Sequence, residues 1–263
     1  MTRPDGRQAA DLRPVRLVPD FIGTADGSVL VELGRTRVVC TAMVTKGVPR
    51  WLEGRGAGWV TAEYGMLPAS SRQRIRRDGP GGVNSRGTEI RRLIGRTLRA
   101  AVNLEALGPN TVLVDCDVLE ADGGTRTAAI TGGWVALARA VDRARRDGRL
   151  ALDADPIADQ VAAVSCGLVD GEARLDLAYE EDSAAEVDVN VAMTPAGRLI
   201  EVQAAAERAT FTQADLGRLL KLARRGCDRL ARLQADARRR RATPIDKQSV
   251  APKASRNVRG GEP

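Results

Sequence analysis

Apolar and polar positions nearly alternate through SVLVELGRTRVVCTAMV, residues 28–44, and the stretch is rich in valine. That pattern predicts two strands with a turn at Gly34. GWVTAEYGMLP, residues 58–68, predicts another strand that ends at Pro68. The next segment, ASSRQRIRRDGPGGVNSRG, is basic and glycine-rich with no apolar period, which predicts a mobile loop. From Thr88 to Leu104 the period becomes helical. Ile90, Leu93, Ile94, Leu98 and Ala101 share one face, and Arg92, Arg96 and Arg99 share another. TVLVDCDVLEAD returns to a strand, and a helix is predicted from about Thr127 to Arg146. VAAVSCGLV, EARLDLAY, EVDVNVAMT and LIEVQAA then read as four strands, and a last helix covers roughly Thr212–Arg238. This order, with short hairpin-like links, predicts an α/β or α+β domain with mixed or antiparallel pairing. The residues from 237 onward are basic, rich in Pro and Gly and poor in apolar side chains, and predict a disordered tail.

A chain of 263 residues can bury one sizeable core. No apolar run reaches membrane-spanning length, and MTRPDGRQAADLRP has no apolar core of a signal peptide, so no membrane partner is expected. Cys40, Cys116, Cys166 and Cys227 lie far apart with no Cys-x-x-Cys pair, and three of them sit in apolar runs. They read as buried, reduced thiols of a cytoplasmic protein. The absence of histidine excludes Ser-His-Asp and Cys-His triads and any His-ligated metal. The net charge of +7 is carried by an excess of arginine, which suits a polyanion such as nucleic acid, although a merely soluble basic protein shows the same balance.

Three constellations carry candidate chemistry. EEDSAAEVDVN, residues 180–190, packs acids into a basic chain. With Asp182 in the link between two alternating strands and Asp188 on the second, both carboxylates converge at one end of a hairpin beside Asn190. That donor set suits a hard divalent cation such as Mg²⁺. A solvated acidic turn, or ion pairs with arginines, would explain the same residues. EADGGTRTAAITGG, residues 120–133, places two glycines between a strand and a helix, so backbone N–H groups with Arg126 form an anion site or a plain turn. Arg72, Arg74, Arg76 and Arg77 in the loop, Arg86, and Arg92, Arg96 and Arg99 on the helix suit a polyphosphate backbone or a solvated helix face. Trp51, Trp59 and Tyr64 are the few aromatics available for base stacking, and Asp115 and Asp117 are candidate ion-pair partners for these arginines.

Together GSVLVELGRTRVVCTA, GWVTAEYGMLP, EIRRLIGRTLRAAV, DCDVLEADGGTRTAAITG and EEDSAAEVDVNVAMT resemble the ribonuclease PH family, in the family's order and over about residues 6–235. The resemblance implies an α+β fold like the second domain of ribosomal protein S5, with mixed sheets packed by helices in a single domain over 1–236. It implies a phosphate-dependent 3′-to-5′ exoribonuclease that trims tRNA precursors and other RNA and releases nucleoside diphosphates. Inorganic phosphate would be the co-substrate and Mg²⁺ or another divalent cation the cofactor. By matching position, Arg86, Gly124, Thr125 and Arg126 would bind phosphate, and Asp182 and Asp188 would serve catalysis and the metal. Arg72, Arg74, Arg76, Arg77, Arg92, Arg96 and Arg99 would hold the RNA end. The implied assembly is a homo-hexamer, a trimer of dimers. A catalytically impaired RNA-binding ring subunit is the alternative, and such subunits lose acidic or phosphate-site residues that this chain keeps.

The chain departs from the family in EVQAAAER, where Ala204, Ala205 and Arg208 stand in place of Gly, Thr and Gly. If either glycine needs a positive φ, the replacement strains the backbone. NSRGTEI replaces the commoner G-R-T-x-E-I but keeps the arginine, and SSRQRIRRD lacks the family's usual histidine.

Overall fold

A computed structural model of the chain describes residues 3–76 and 85–240. Valine-rich alternation builds the first sheet from β1 (Val15–Pro19), β2 (Gly27–Leu33), β3 (Thr36–Lys46), β4 (Trp59–Met66) and β5 (Asn110–Glu120), in the order β1-β2-β3-β5-β4. β4 and β5 run parallel because α1 (Ser85–Arg99) lies between them in sequence, while the other pairs are antiparallel. One face of the sheet buries Val38, Cys40, Ala42, Val112, Val114, Cys116 and Val118. The other leaves Met43 and Leu113 exposed beside Asp115 and Asp117.

α2 (Thr125–Arg146) is apolar nearly all round, the mark of a helix buried on all sides. It packs against the inner face of the first sheet and against β6 (Ala162–Val169) of the second. Gly132 permits the close approach, since a Cβ there would stand 2.7 Å from Cys40 Sγ. The second sheet has the order β7-β6-β8-β9, with β7 (Glu172–Leu175), β8 (Val187–Met193) and β9 (Leu199–Ala206) all joined antiparallel. α3 (Tyr179–Ala184) links β7 to β8. α4 (Gln213–Arg239) starts at a capping box. Thr212 Oγ1 accepts from the Asp215 N–H at 3.2 Å, and the Asp215 carboxylate accepts from the Thr212 N–H at 2.9 Å. Its face of Leu219, Ala223, Cys227 and Leu230 covers Val164, Cys166 and Leu175. The result is an α+β fold with mixed sheets.

Several expectations shift. The helix expected over Thr88–Leu104 runs over Ser85–Arg99, because Asn103 Oδ1 accepts from the Glu105 and Ala106 N–H groups and turns the chain. β7 and β8 do not form a hairpin: β6 lies between them. β7 stops at Leu175 because Asp176 takes φ 53°, and the residues that continue its alternation form an irregular link into α3, which begins at Tyr179. β1 escaped the pattern reading altogether. Asp115 and Asp117 make no ion pair with the arginines among the described residues; burial raises the Asp115 carboxyl, and the charges of Asp117 and Glu63 raise it further. All four cysteines are buried and unpaired, as expected. The boundary expected at 236/237 falls inside α4, where Ala237 is buried and Arg238 pairs with Asp142 at 2.8 Å. Arg77 with the rest of 77–84, and the tail from 241, lie outside the described residues. None of the described helices is long and apolar enough to cross a membrane.

Candidate active site

The EADGG turn leaves β5 and enters α2 through two left-handed glycines, Gly123 (φ 78°) and Gly124 (φ 69°). Contact as well as conformation demands glycine at 123: a Cβ there would stand 2.6 Å from the Leu177 carbonyl oxygen and 2.9 Å from the Tyr179 nitrogen. The turn is thereby pressed against the start of α3. Thr36 Oγ1 donates to the Gly123 carbonyl at 2.7 Å and accepts from the Asp122 N–H at 2.9 Å. Tyr64 is buried beneath the turn, and its hydroxyl lies 2.9 Å from Thr125 Oγ1. Burial raises the Tyr64 phenol, with the Thr125 hydrogen bond and the charges of Arg86 and Arg126 acting the other way. Tyr64 therefore supports the turn and is no base-stacking platform.

Asp182 is on α3 and Asp188 on β8, so the two carboxylates come from a helix and the strand that follows it rather than from one hairpin. They still meet. Burial pushes the Asp188 carboxyl up to about 6, and the Asp182 charge adds to the rise. Arg126 and the Asn190 side-chain N–H, 3.1 Å from Asp188 Oδ2, oppose it. Asp188 Oδ1 is buried with no hydrogen-bond partner among the described residues. Burial also raises the Asp182 carboxyl, against the charges of Arg126, Arg86 and Arg13. Glu207, at the end of β9, repels both aspartates. Arg126 Nη1 donates to Gln203 Oε1 at 3.2 Å, and Glu89 of α1 lies 3.8 Å away. Gln203 faces Asn190 in the β8–β9 register. Arg86, Arg126, Asp182 and Asp188 are thus one electrostatic neighbourhood, with the glycine turn as one wall.

Sequence reasoning missed the groups that hold this wall. Arg13 is buried. Its Nη2 and Nε reach the Asp176 carboxylate at 2.6 and 3.0 Å, and its Nη1 reaches the Asp122 carbonyl. Glu181, in the middle of the acidic run, is also buried: Arg3 Nε and Nη2 reach it at 2.8 and 2.6 Å, and Arg174 at 3.4 Å. No local pattern marks the Arg13–Asp176 and Arg3–Glu181 pairs, since their partners lie over a hundred residues apart. The Ala204, Ala205 and Arg208 replacements are unstrained: the only non-glycine residues with positive φ among those described are Asp20, Asp170 and Asp176. Arg208 Nη2 donates to the Ser183 carbonyl at 2.8 Å, on α3 one residue after Asp182.

The candidate RNA-binding arginines divide. Arg74, Arg76 and Arg92 are exposed, and Arg72 is exposed 3.7 Å from Glu180. Arg96 forms a two-point pair with Glu201 at 3.0 and 2.9 Å, which ties α1 to β9. Arg99 lies 4.3 Å over the Trp59 ring and donates to the Val60 carbonyl at 2.8 Å. Trp51 packs edge-on against Trp59 with centroids 4.7 Å apart.

Comparison with known proteins shows the family and the fold. The family model for domain 1 of the 3′ exoribonuclease family matches residues 11–141, and that for domain 2 matches 159–226. The chain is 53% identical over 238 residues to a ribonuclease PH of Saccharopolyspora erythraea, covering 90% of this chain and 94% of that one. It is 55% identical over 236 residues to one of Mycobacterium sp. (strain KMS), covering 89% and 90%. In fold it is similar to an Archaeoglobus fulgidus exosome chain solved with RNA bound to the active site (TM-score 0.72, 23% identity, 87% and 91% covered) and to a chain of an archaeal exosome core (TM-score 0.65, 22% identity, 89% and 90% covered).

Proposed function

The chain belongs to the 3′ exoribonuclease family and is a phosphorolytic 3′ exoribonuclease; on that premise we propose that Arg86, Gly124, Thr125 and Arg126 bind inorganic phosphate and that Asp182 and Asp188 carry the reaction. The observation behind this assignment is that two half-buried carboxylates, Asp182 and Asp188, share the field of Arg126, with Arg86 also acting on Asp182, beside the glycine turn. Phosphate is already an anionic nucleophile, which suits a chain with no histidine. One phosphate oxygen attacks the phosphorus of the last phosphodiester. The P–O3′ bond breaks, a nucleoside diphosphate leaves, and the shortened RNA's 3′ oxygen takes a proton. Two anions must be brought together, so the arginines contribute position and charge. Asp182 and Asp188 hold the acidic side of the site, and Asn190 fixes the orientation of Asp188.

The orphaned Asp188 Oδ1, the Asp182 carboxylate whose charge acts on Asp188 and the Asn190 amide make a donor set that fits Mg²⁺ or another hard divalent cation. Bound there, the cation would neutralise the paired carboxylates and polarise the scissile phosphodiester. Chelation is therefore expected to abolish phosphorolysis and leave the fold intact.

We assign the RNA path to Arg72, Arg74, Arg76, Arg77 and Arg92. The partners of Arg96 and Arg99 within the chain argue for a framework role instead. The RNA would be tRNA precursors. The assembly would be a homo-hexamer, a trimer of dimers, in the cytoplasm. Support comes from the family, from exosome chains of similar fold, and from the open sheet face with Met43 and Leu113. A monomeric mass by light scattering at micromolar concentration would overturn the assembly. Arg126→Ala should raise the phosphate concentration needed for half-maximal rate strongly, about 10-fold or more, with thermal stability retained. Saturation at the wild-type phosphate concentration would defeat the phosphate-site assignment.

A further inference from the structure

We propose that Arg13 is a positioning residue for the phosphate site: its guanidinium clamps the turn that carries Gly124, Thr125 and Arg126 to the segment that leads into α3 and Asp182. The inference rests on the phosphate-site assignment above and extends it to a residue that touches no substrate.

Arg13 lies just before β1, outside the turn, the catalytic strand and the arginine-rich loop. Its guanidinium reaches both sides of the site at once. Toward the turn, Nη1 donates to the Asp122 carbonyl and Nη2 to the Gly123 carbonyl at 3.3 Å. Toward the second sheet, Nη2 and Nε form a fork on the Asp176 carboxylate, which also accepts the Arg13 backbone N–H at 2.7 Å. Asp176 is fully buried. Its left-handed backbone breaks β7, and six residues later the chain presents Asp182. Across the same seam, Gly123 lies so close to Leu177, Ala178 and Tyr179 that a Cβ would clash with their backbone.

The geometry points to positioning rather than bulk stability. A buried ion pair is weak evidence for stability, because its desolvation offsets much of its attraction. What the fork supplies is direction: only a planar guanidinium can hold a carboxylate at two points and two carbonyls with its remaining donors. The two sheets each contribute one half of the site, phosphate ligands from the first and carboxylates from the second. Arg13 is the side chain hydrogen-bonded to both the turn and Asp176. A lysine at 13 would keep the charge and lose the fork. The turn would then be free to shift against α3, and small misplacements of reacting groups lower rates steeply.

The test measures phosphorolysis of a single-stranded RNA by wild type, Arg13→Lys and Thr36→Val, varying inorganic phosphate and RNA separately, with thermal midpoints in parallel. Thr36 holds the same turn through Asp122 and Gly123 but does not touch Asp176. Folded Arg13→Lys should show a phosphate KM raised about 10-fold or more with an RNA KM within about 2-fold of wild type. Thr36→Val should show a smaller rise in the phosphate KM alone. An unchanged phosphate KM in folded Arg13→Lys, or equal rises for phosphate and RNA, would overturn the proposal. If Arg13→Lys does not fold, Asp176→Asn, which keeps an acceptor oxygen and loses the charge that the Arg13 fork holds, is measured in its place: a selective rise in the phosphate KM supports the clamp and no rise overturns it. Wild type without any phosphate dependence would instead sink the phosphate-site reading itself.

Discussion

Glu181→Gln removes one charge from the most enclosed part of the acidic run. The side chains of Glu181, Arg3 and Arg174 are 3%, 1% and 5% exposed, so the charges left behind have little access to water. Breaking a buried pair from one side costs about 3–5 kcal/mol. The low end applies here, because Arg3 keeps the Leu175 and Asp176 carbonyls at 2.8 Å each, and glutamine retains one acceptor oxygen. A loss of about 3 kcal/mol in a domain of this size lowers Tm by roughly 6–12 °C. Differential scanning calorimetry at pH 7 measures it directly. A Tm for Glu181→Gln within about 2 °C of wild type would refute the buried-network reasoning and return Glu181 to a solvated turn.

Two further outcomes are expected. Asp188→Asn keeps the shape, so the fold should survive while phosphorolysis falls by about 100-fold or more; without divalent cation its Tm should exceed wild type at pH 7–8 and converge on it as the pH falls below 3.8. The sign follows from the raised folded-state value of about 6: the ionised carboxylate is a penalty above that pH and is absent below the unfolded value. A chain ending at Ala237 should melt below one ending at Arg240, because it loses the Arg238–Asp142 pair and the Arg238 and Arg240 carbonyls that Arg139 holds; equal midpoints would contradict this.

Much of this architecture is legible from local pattern. The valine-rich alternation places β2 and β3 about Gly34, and the all-round apolar run around Gly132 and Gly133 marks a helix buried on every side. Arg86, Arg126, Asp182 and Asp188 do come together in one electrostatic neighbourhood. The rest depends on distant partners. EARLDLAY alternates to its end, yet Asp176 leaves the β region because its carboxylate is held by Arg13, 163 residues away. The same holds for Glu181, whose buried partner Arg3 lies in a polar N-terminal stretch with no periodicity. Arg96 and Arg99 share a helical face that reads as solvated, but β9 and Trp59 fold back onto it. Local period finds elements and which faces are apolar; it cannot find charges neutralised across the fold.

The central claim is that phosphate bound at the glycine turn is the nucleophile at the RNA 3′ end. A 3′-labelled single-stranded RNA incubated with the enzyme and Mg²⁺, with and without inorganic phosphate, tests it, with released nucleotides resolved by chromatography. Nucleoside diphosphates should appear only when phosphate is present, and Asp188→Asn should lower their release by about 100-fold or more in the same assay. Release of nucleoside monophosphates without phosphate, or diphosphate release undiminished in Asp188→Asn, would contradict the account.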